Sequence, residues 1–273
     1  ALASGVLFMA LADIFPSGGT ASPLFMVGRL AVSLTLAFSP TLWSRSIEAE
    51  VYALNASLVA LALWLAVTWR RGRWSTSRAL PAFGLLIGLA LASHVTLGAL
   101  GLLALVMLLT ADLHPRVRTL LIAGALGLAG VAFYLYIPLR WPAVTGGERM
   151  SLGHFWRFVT NADSGGALHP TAFIDDPARW KLVGLLLKRQ VGVFGLLLAG
   201  IGLIALSLST WNLALGTLLM VAAWVWFNLS FYVADPDYSA FLIPAHVVVI
   251  FWLGIGLHVR RRRRFRWARS LAG

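Results

Sequence analysis

The chain has no cysteine in 273 residues, which excludes disulfides, thiolate nucleophiles, thiolate metal sites and palmitoylation. Charge is nearly as scarce. Charged residues are 12% of the sequence, against roughly 25% in a soluble domain, so no stretch can supply the water-facing surface of a globular domain of any size. What fills the chain is apolar: 59% of residues are hydrophobic and the mean hydropathy is +0.83. The net charge of +12 would point to nucleic acid in a soluble protein. Here the basic residues sit in short clusters between apolar runs, which is how membrane proteins set their orientation, and no nucleic-acid partner is expected. The reading is an all-α polytopic bundle, one transmembrane domain over 1–273, with membrane lipid as its surroundings. Residues 1–11 already read as the middle of an apolar helix with no basic region before them, so the sequence is expected to be truncated at its N-terminus.

Apolar runs of about 20 residues, the length that crosses the hydrocarbon core, fall at 1–15, 24–43, 51–69, 119–139, 190–208, 213–232 and 240–258. The stretch 79–111 is too long for one span and is interrupted by Ser93, His94 and Thr96. It reads as two short helices meeting at one membrane face, which makes about nine membrane helices.

With that split, three arginine clusters come to one side: Arg70, Arg71, Arg73 and Arg78; Arg116 and Arg118; and Arg260–Arg264 with Arg266 and Arg269 in a basic tail over 259–273. Cytoplasmic loops carry the Lys/Arg excess, so that side is expected to be cytoplasmic. Glu48, Glu50, Glu148, Asp163, Asp175, Asp176, Asp235 and Asp237 then fall on the other face. The outer loop over 140–189 contains Leu152, Phe155, Trp156 and Val159 at helical spacing after Ser151 as N-cap, which predicts an amphipathic helix lying in the membrane surface. Trp180–Arg189 reads as a second, with Lys181, Lys188 and Arg189 reaching headgroup phosphates. The sequons at Asn55 and Asn228 lie within apolar spans and are set aside.

Five segments on the acidic side carry a family resemblance. They are Phe38-Ser39-Pro40-Thr41-Leu42-Trp43 followed by Ala49-Glu50-Val51-Tyr52-Ala53-Leu54-Asn55; Gly88 to Thr96, reading GLALASHVT; Tyr134 to Arg140, reading YLYIPLR; Ser151 to Thr160; and Asp235 to Pro244. In this order they resemble the motifs of the membrane protein O-mannosyltransferase-like family, formerly a domain of unknown function, with a departure at Ser93, where that family usually has asparagine. The resemblance implies a GT-C type glycosyltransferase that moves a sugar, plausibly mannose, from a polyprenyl-phosphate carrier to a protein or glycan acceptor on the non-cytoplasmic face of a bacterial-type inner membrane. It also implies that the main catalytic base belongs to an N-terminal outer loop with no counterpart here.

Sugar transfer by direct displacement needs a carboxylate to take the acceptor's proton and cationic or hydrogen-bonding groups for the leaving phosphate. Glu48 and Glu50, two residues apart, point in different directions, and Glu50, inside the motif, is the candidate base; its plainer role is a charge at the start of the 51–69 helix, stabilised there by roughly 0.3–1 kcal/mol. Arg45, Glu48 and Tyr52 of the same turn are candidate substrate-binding residues. His94 interrupts a span, as functional ionisable groups in membranes do, or is a satisfied helix end. Arg140 ends a span where a lipid phosphate would lie and can hold it bidentately, or is an interface anchor. Asp235, Asp237 and Tyr238 form a turn whose Asp-x-Asp pair suits a hard divalent cation, although a solvated turn favours the same residues; no metal site is assigned, and no cofactor beyond the lipid-linked sugar is required. His246 and Arg29 read as packing or snorkelling residues. The alternatives are a transporter or lipid-handling protein and a catalytically empty scaffold. Transporters pair broken helices through internal repeats, and only one broken segment is found here.

Overall fold

A computed structural model describes residues 1–14, 23–46, 51–110, 115–159, 169–230 and 238–270, with side chains described only as far as His258 in the last stretch. Among the described residues there is no strand. The helices are α1 (Leu2–Ile14), α2 (Pro23–Ala37), α3 (Pro40–Ser46), α4 (Tyr52–Arg70), α5 (Thr76–Ser93), a 3-10 turn (Val95–Ala99) continued by α6 (Leu100–Thr110), α7 (Val117–Val131), α8 (Tyr136–Thr145), α9 (Leu152–Val159), α10 (Ala172–Asp175), α11 (Ala178–Ser209), α12 (Trp211–Ser230) and α13 (Ile243–Ser270). Six segments are long and apolar enough to cross a bilayer: 52–70, 76–93, 117–145, 178–209, 211–230 and 240–258. The α2–α3 pair adds a seventh if its 59° bend is one broken span, and Leu2–Ile14 and Val95–Thr110 are shorter apolar helices. The expected helical membrane bundle is what is seen.

α13 and α4 are the core. Each is enclosed along most of its length, whereas α7 and α8 lie at the periphery, facing outward. Because α13 is apolar nearly all round as far as Leu257, that part must be covered on every side in protein or lipid, and it packs against α11, α12, α4, α2 and α1. Lipid tails are as apolar as leucine, so close backbone approach must hold such helices together. Two glycine seams provide it. On α5 a Cβ at Gly84 or Gly88 would overlap the carbonyl of Ala123 or Gly127 of α7, and on α11 a Cβ at Gly202 would overlap the carbonyl of Trp252 of α13.

One feature departs from the sequence expectation: the loop expected to begin at 140 starts later, because α8 continues to Thr145 and closes on Gly146 in the left-handed region. The segment from Trp180 to Arg189 is a helix distinct from the span after it, as expected. α11 runs from Ala178 to Ser209 as two helices joined at a break at Gly192, where φ is 69° and ψ 174°, a conformation open to glycine at little cost. The α5–α6 pair matches the expectation of two short helices meeting at His94, whose extended backbone (φ −159°, ψ 128°) ends α5.

The chain directions place residues 1, 46, 52, 93–95, 145, 178, 230 and 238 at one end of the bundle and 14, 23, 70–76, 110, 117, 209–211 and 258 at the other. Arg70, Arg71, Arg73, Arg78, Arg116 and Arg118 share this second end, called here the basic end. There Asp13 is paired with Arg73 and accepts the Trp64 indole N–H at 3.0 Å, while Arg71 donates to the carbonyl of Ile14. α9 has the expected N-cap, with the His154 amide donating to Ser151 Oγ at 3.2 Å, and its Leu152 and Trp156 are exposed.

Candidate functional site

At the end opposite the basic one, segments far apart in the sequence are tied together by side chains from the motif stretches. Pro40 starts α3 after the bend, and the buried Thr41 backbone N–H donates to Gln190 Oε1 at 3.3 Å while Gln190 Nε2 donates to Thr41 Oγ1. Gln190 lies two residues before the break at Gly192. The amide therefore clamps the bend of one helix pair to the break in another.

The turn around His94 is held from three helices. Ser93 Oγ donates to Asn55 Oδ1 of α4 at 2.7 Å, the Trp224 indole of α12 donates to the Thr96 carbonyl at 2.9 Å, and the Tyr134 hydroxyl donates to the Leu91 carbonyl at 2.6 Å. Carbonyls freed where α5 ends lack intrahelical partners and take such donors instead. Asn55 is thus used internally, as is Asn228, whose Nδ2 donates to the Tyr238 carbonyl at 2.7 Å. Both asparagines are buried.

Phe241 is the hub of the aromatic floor. Its ring lies 5.9 Å from that of His94, 6.5 Å from Tyr52 and 5.7 Å from Phe227. Above this floor the Arg45 guanidinium sits 5.9 Å from the Tyr52 ring centre, within cation–π range. Arg45 is thus paired with Tyr52, and Tyr52 and His94 each meet Phe241. His94 Nδ1 lies 2.8 Å from Thr96 Oγ1 and accepts the Thr96 amide at 3.4 Å, which leaves the proton of the neutral ring on Nε2. Burial pushes the imidazole below its ordinary pKa, so the neutral form prevails at pH 7. A cavity of about 270 Å³, which Arg45, Tyr52 and His94 do not line, opens between α1, α2, α3 and α4 and is lined by Ser4, Leu42, Ser46, Leu54 and Ser57 among others.

Tyr238 belongs to a neighbouring group. It is buried, its hydroxyl has no hydrogen-bond partner among the described residues, and burial raises its phenol pKa, with Arg179 opposing and Asp176 reinforcing the shift. Arg179 Nη1 donates to the Leu229 carbonyl at 2.9 Å and its Nε lies 3.4 Å from Asp176 Oδ2. Arg140 is at the same end of the bundle but exposed on peripheral α8, next to Trp141, whose ring meets His154 and Phe158 of α9. Glu48, Glu50, Asp235 and Asp237 lie outside the described residues. Among the described residues no three His, Asp or Glu side chains are grouped to hold a metal ion.

Sequence reasoning did not single out Phe241, Gln190 or Trp224 as partners. The first lay unweighted inside the last motif segment, and the other two are polar groups in otherwise apolar spans, the one signal that would have drawn attention to them.

Residues 16–118 match the family described as Protein O-mannosyl-transferase TMEM260 N-terminal domain. That stretch takes in the bend at 38–43, the turn before Tyr52 and the His94 break, and is less than half of the 273 residues. No curated protein and no solved structure matches the chain.

Proposed function

We propose that this chain is a membrane glycosyltransferase of GT-C type that transfers a sugar, mannose in this reading, from a polyprenyl-phosphate carrier to a protein or glycan acceptor, at the bundle end remote from the arginine clusters. The observation that carries the reading is the similarity of residues 16–118 to a protein O-mannosyltransferase domain, together with the chain of contacts from Arg45 to Tyr52, Phe241 and His94 at one end of the bundle. The positive-inside rule puts the arginine-rich end in the cytoplasm and this site on the non-cytoplasmic face.

In this reading the acceptor hydroxyl loses its proton to a carboxylate as its oxygen attacks the anomeric carbon. The bond from that carbon to the carrier phosphate breaks, and the electron pair leaves with the phosphate. Glu50, two residues before Tyr52, is the carboxylate in this chain assigned to the proton. Arg45 faces the departing phosphate, with Arg140 at the same end available to anchor the carrier's headgroup. Neutral His94 donates from Nε2 to a sugar hydroxyl or phosphate oxygen. Tyr238 lies at the same end of the bundle, and Asp235 and Asp237, just before it in the sequence, are the Asp-x-Asp pair assigned to a divalent cation. The described motif residues gather at one end of the bundle, which favours an enzyme over a transporter.

The test is genetic and chemical together. The gene is deleted in the source organism, wild-type or Arg45→Lys chain is restored, and glycosylated envelope proteins are compared by mass spectrometry. Glycopeptides lost on deletion and recovered with wild type but not with Arg45→Lys are expected. An unchanged glycopeptide profile on deletion would refute the proposal.

A further inference from the structure

The second large feature of the molecule lies at the basic end and has no part in the reading above. α5 and α7 run parallel, not antiparallel, because the turn at His94 and the return through α6 intervene. The seam aligns Gly84 with Ala123 and Gly88 with Gly127, so both helices begin side by side at the basic end. Between their first turns opens a cavity of about 560 Å³, lined by Ser75, Ser77, Arg116, Arg118, Thr119 and Ile122 among others. This is within the roughly 300–1,000 Å³ of small-ligand sites.

Its electrostatics are one-sided. Two arginines line it, no carboxylate does so among the described residues, and the positive ends of an 18-residue and a 15-residue helix converge there. Each helix start contributes roughly half a positive charge, so the parallel arrangement adds repulsion that an antiparallel pair would lack. Hydroxyls of Ser75, Ser77 and Thr119 and the planar forks of the arginines are the donors that phosphate oxygens take. The wall beyond them is apolar: one and two turns along α7 from Arg118, Ile122 and Ala125 are exposed on a helix that faces outward for most of its length. A free anion has no use for such a wall. A phospholipid has, since its acyl chains can run along α7 with the headgroup in the cavity.

We infer that this cavity binds the headgroup phosphate of an anionic membrane phospholipid, which bridges the N-termini of α5 and α7. Basic pockets between membrane helices on the cytoplasmic side suit such headgroups. The site is independent of the transferase reading.

The test uses the full chain purified in zwitterionic detergent, with binding of labelled phosphatidylglycerol and phosphatidylcholine measured at fixed salt. Phosphatidylglycerol should bind the more tightly. Each of Arg116→Gln and Arg118→Gln should weaken it roughly five-fold, and the pair roughly thirty-fold, at the usual worth of a basic residue near an anionic lipid. Both side chains are exposed, so folding should survive, as confirmed by an unchanged elution volume. Arg149→Gln, equally exposed but at the opposite end, removes the same charge and should leave binding unchanged. Equal affinity for the two lipids, or equal loss in the Arg116/Arg118 pair and in Arg149→Gln, would overturn the proposal. Displacement of phosphatidylglycerol by millimolar inorganic phosphate would overturn the lipid as the ligand in favour of a free anion.

Discussion

Replacing Trp224 by phenylalanine should loosen the His94 turn more than any other substitution of similar size on α12. Trp224 is 1% exposed, and its indole N–H is the donor given to the Thr96 carbonyl, at 2.9 Å. Phenylalanine keeps most of the ring but leaves that carbonyl without this donor. An unmet buried carbonyl costs about 1–3 kcal/mol, although side-chain hydrogen bonds in membranes average nearer 0.6 kcal/mol; about 1 kcal/mol is a fair middle value. The smaller ring also leaves a void of roughly 40 Å³, worth about 1 kcal/mol at about 24 cal/mol per Å³. The expected loss is therefore about 2 kcal/mol. Unfolding in lipid nanodiscs would measure it, with Trp226→Phe as control, since Trp226 lies on the same helix but is 46% exposed. Equal stability of the two variants would refute the argument that the indole holds the turn.

The α5–α7 seam gives a second prediction. Gly88→Leu should abolish folding, because its side chain would meet the Gly127 backbone, whereas Gly101→Ala, with open space around it, should leave stability unchanged or raise it slightly by helix propensity; a folded Gly88→Leu protein would refute the close packing. For His94, burial lowers the folded-state pKa below the ordinary 6.5, so at acid pH the unfolded state binds more protons. Its contribution to stability is thus full above about 6.5 and declines as pH falls below that value. His94→Gln should flatten the slope in that window, and an unchanged slope would contradict the burial. Single cysteines at Ser77 and Arg116, in a chain without natural ones, should cross-link with a short bifunctional reagent because both line one cavity; failure to cross-link in folded protein would contradict the parallel arrangement.

Much of the bundle was legible because hydrophobic length and arginine placement are strong one-dimensional signals. Spans 51–69 and 240–258 fall almost on α4 and the final apolar helix, and the polar interruption at His94 correctly divided 79–111. The break at Gly192 falls close to the boundary read between the 180–189 helix and the 190–208 span, because Lys188, Arg189 and Gln190 interrupt the apolar run just before it. Site assembly was less legible. Tyr52 and His94 stood out by residue type, yet both pack on Phe241, which comes from a segment nearly 150 residues after His94. Arg140 and His94 share one end of the bundle, as helix lengths suggested. Their lateral separation is set by packing order, with α8 outside α5, and helix order is not written in periodicity.

The central claim is that the end bearing Arg45, Tyr52 and His94 transfers a carrier-linked sugar. The most direct measurement is transfer of labelled mannose from polyprenyl-phosphate mannose to acceptor in proteoliposomes, comparing wild type with Arg45→Lys, Glu50→Gln and Arg149→Gln. Lysine keeps the charge but removes the planar fork, so transfer should fall by an order of magnitude or more in Arg45→Lys, at about 1.4 kcal/mol per factor of ten. Glu50→Gln should lower it at least as far, at the roughly 10²–10⁴-fold worth of a general base, and Arg149→Gln should match wild type. Full transfer by Arg45→Lys and Glu50→Gln together would contradict the account.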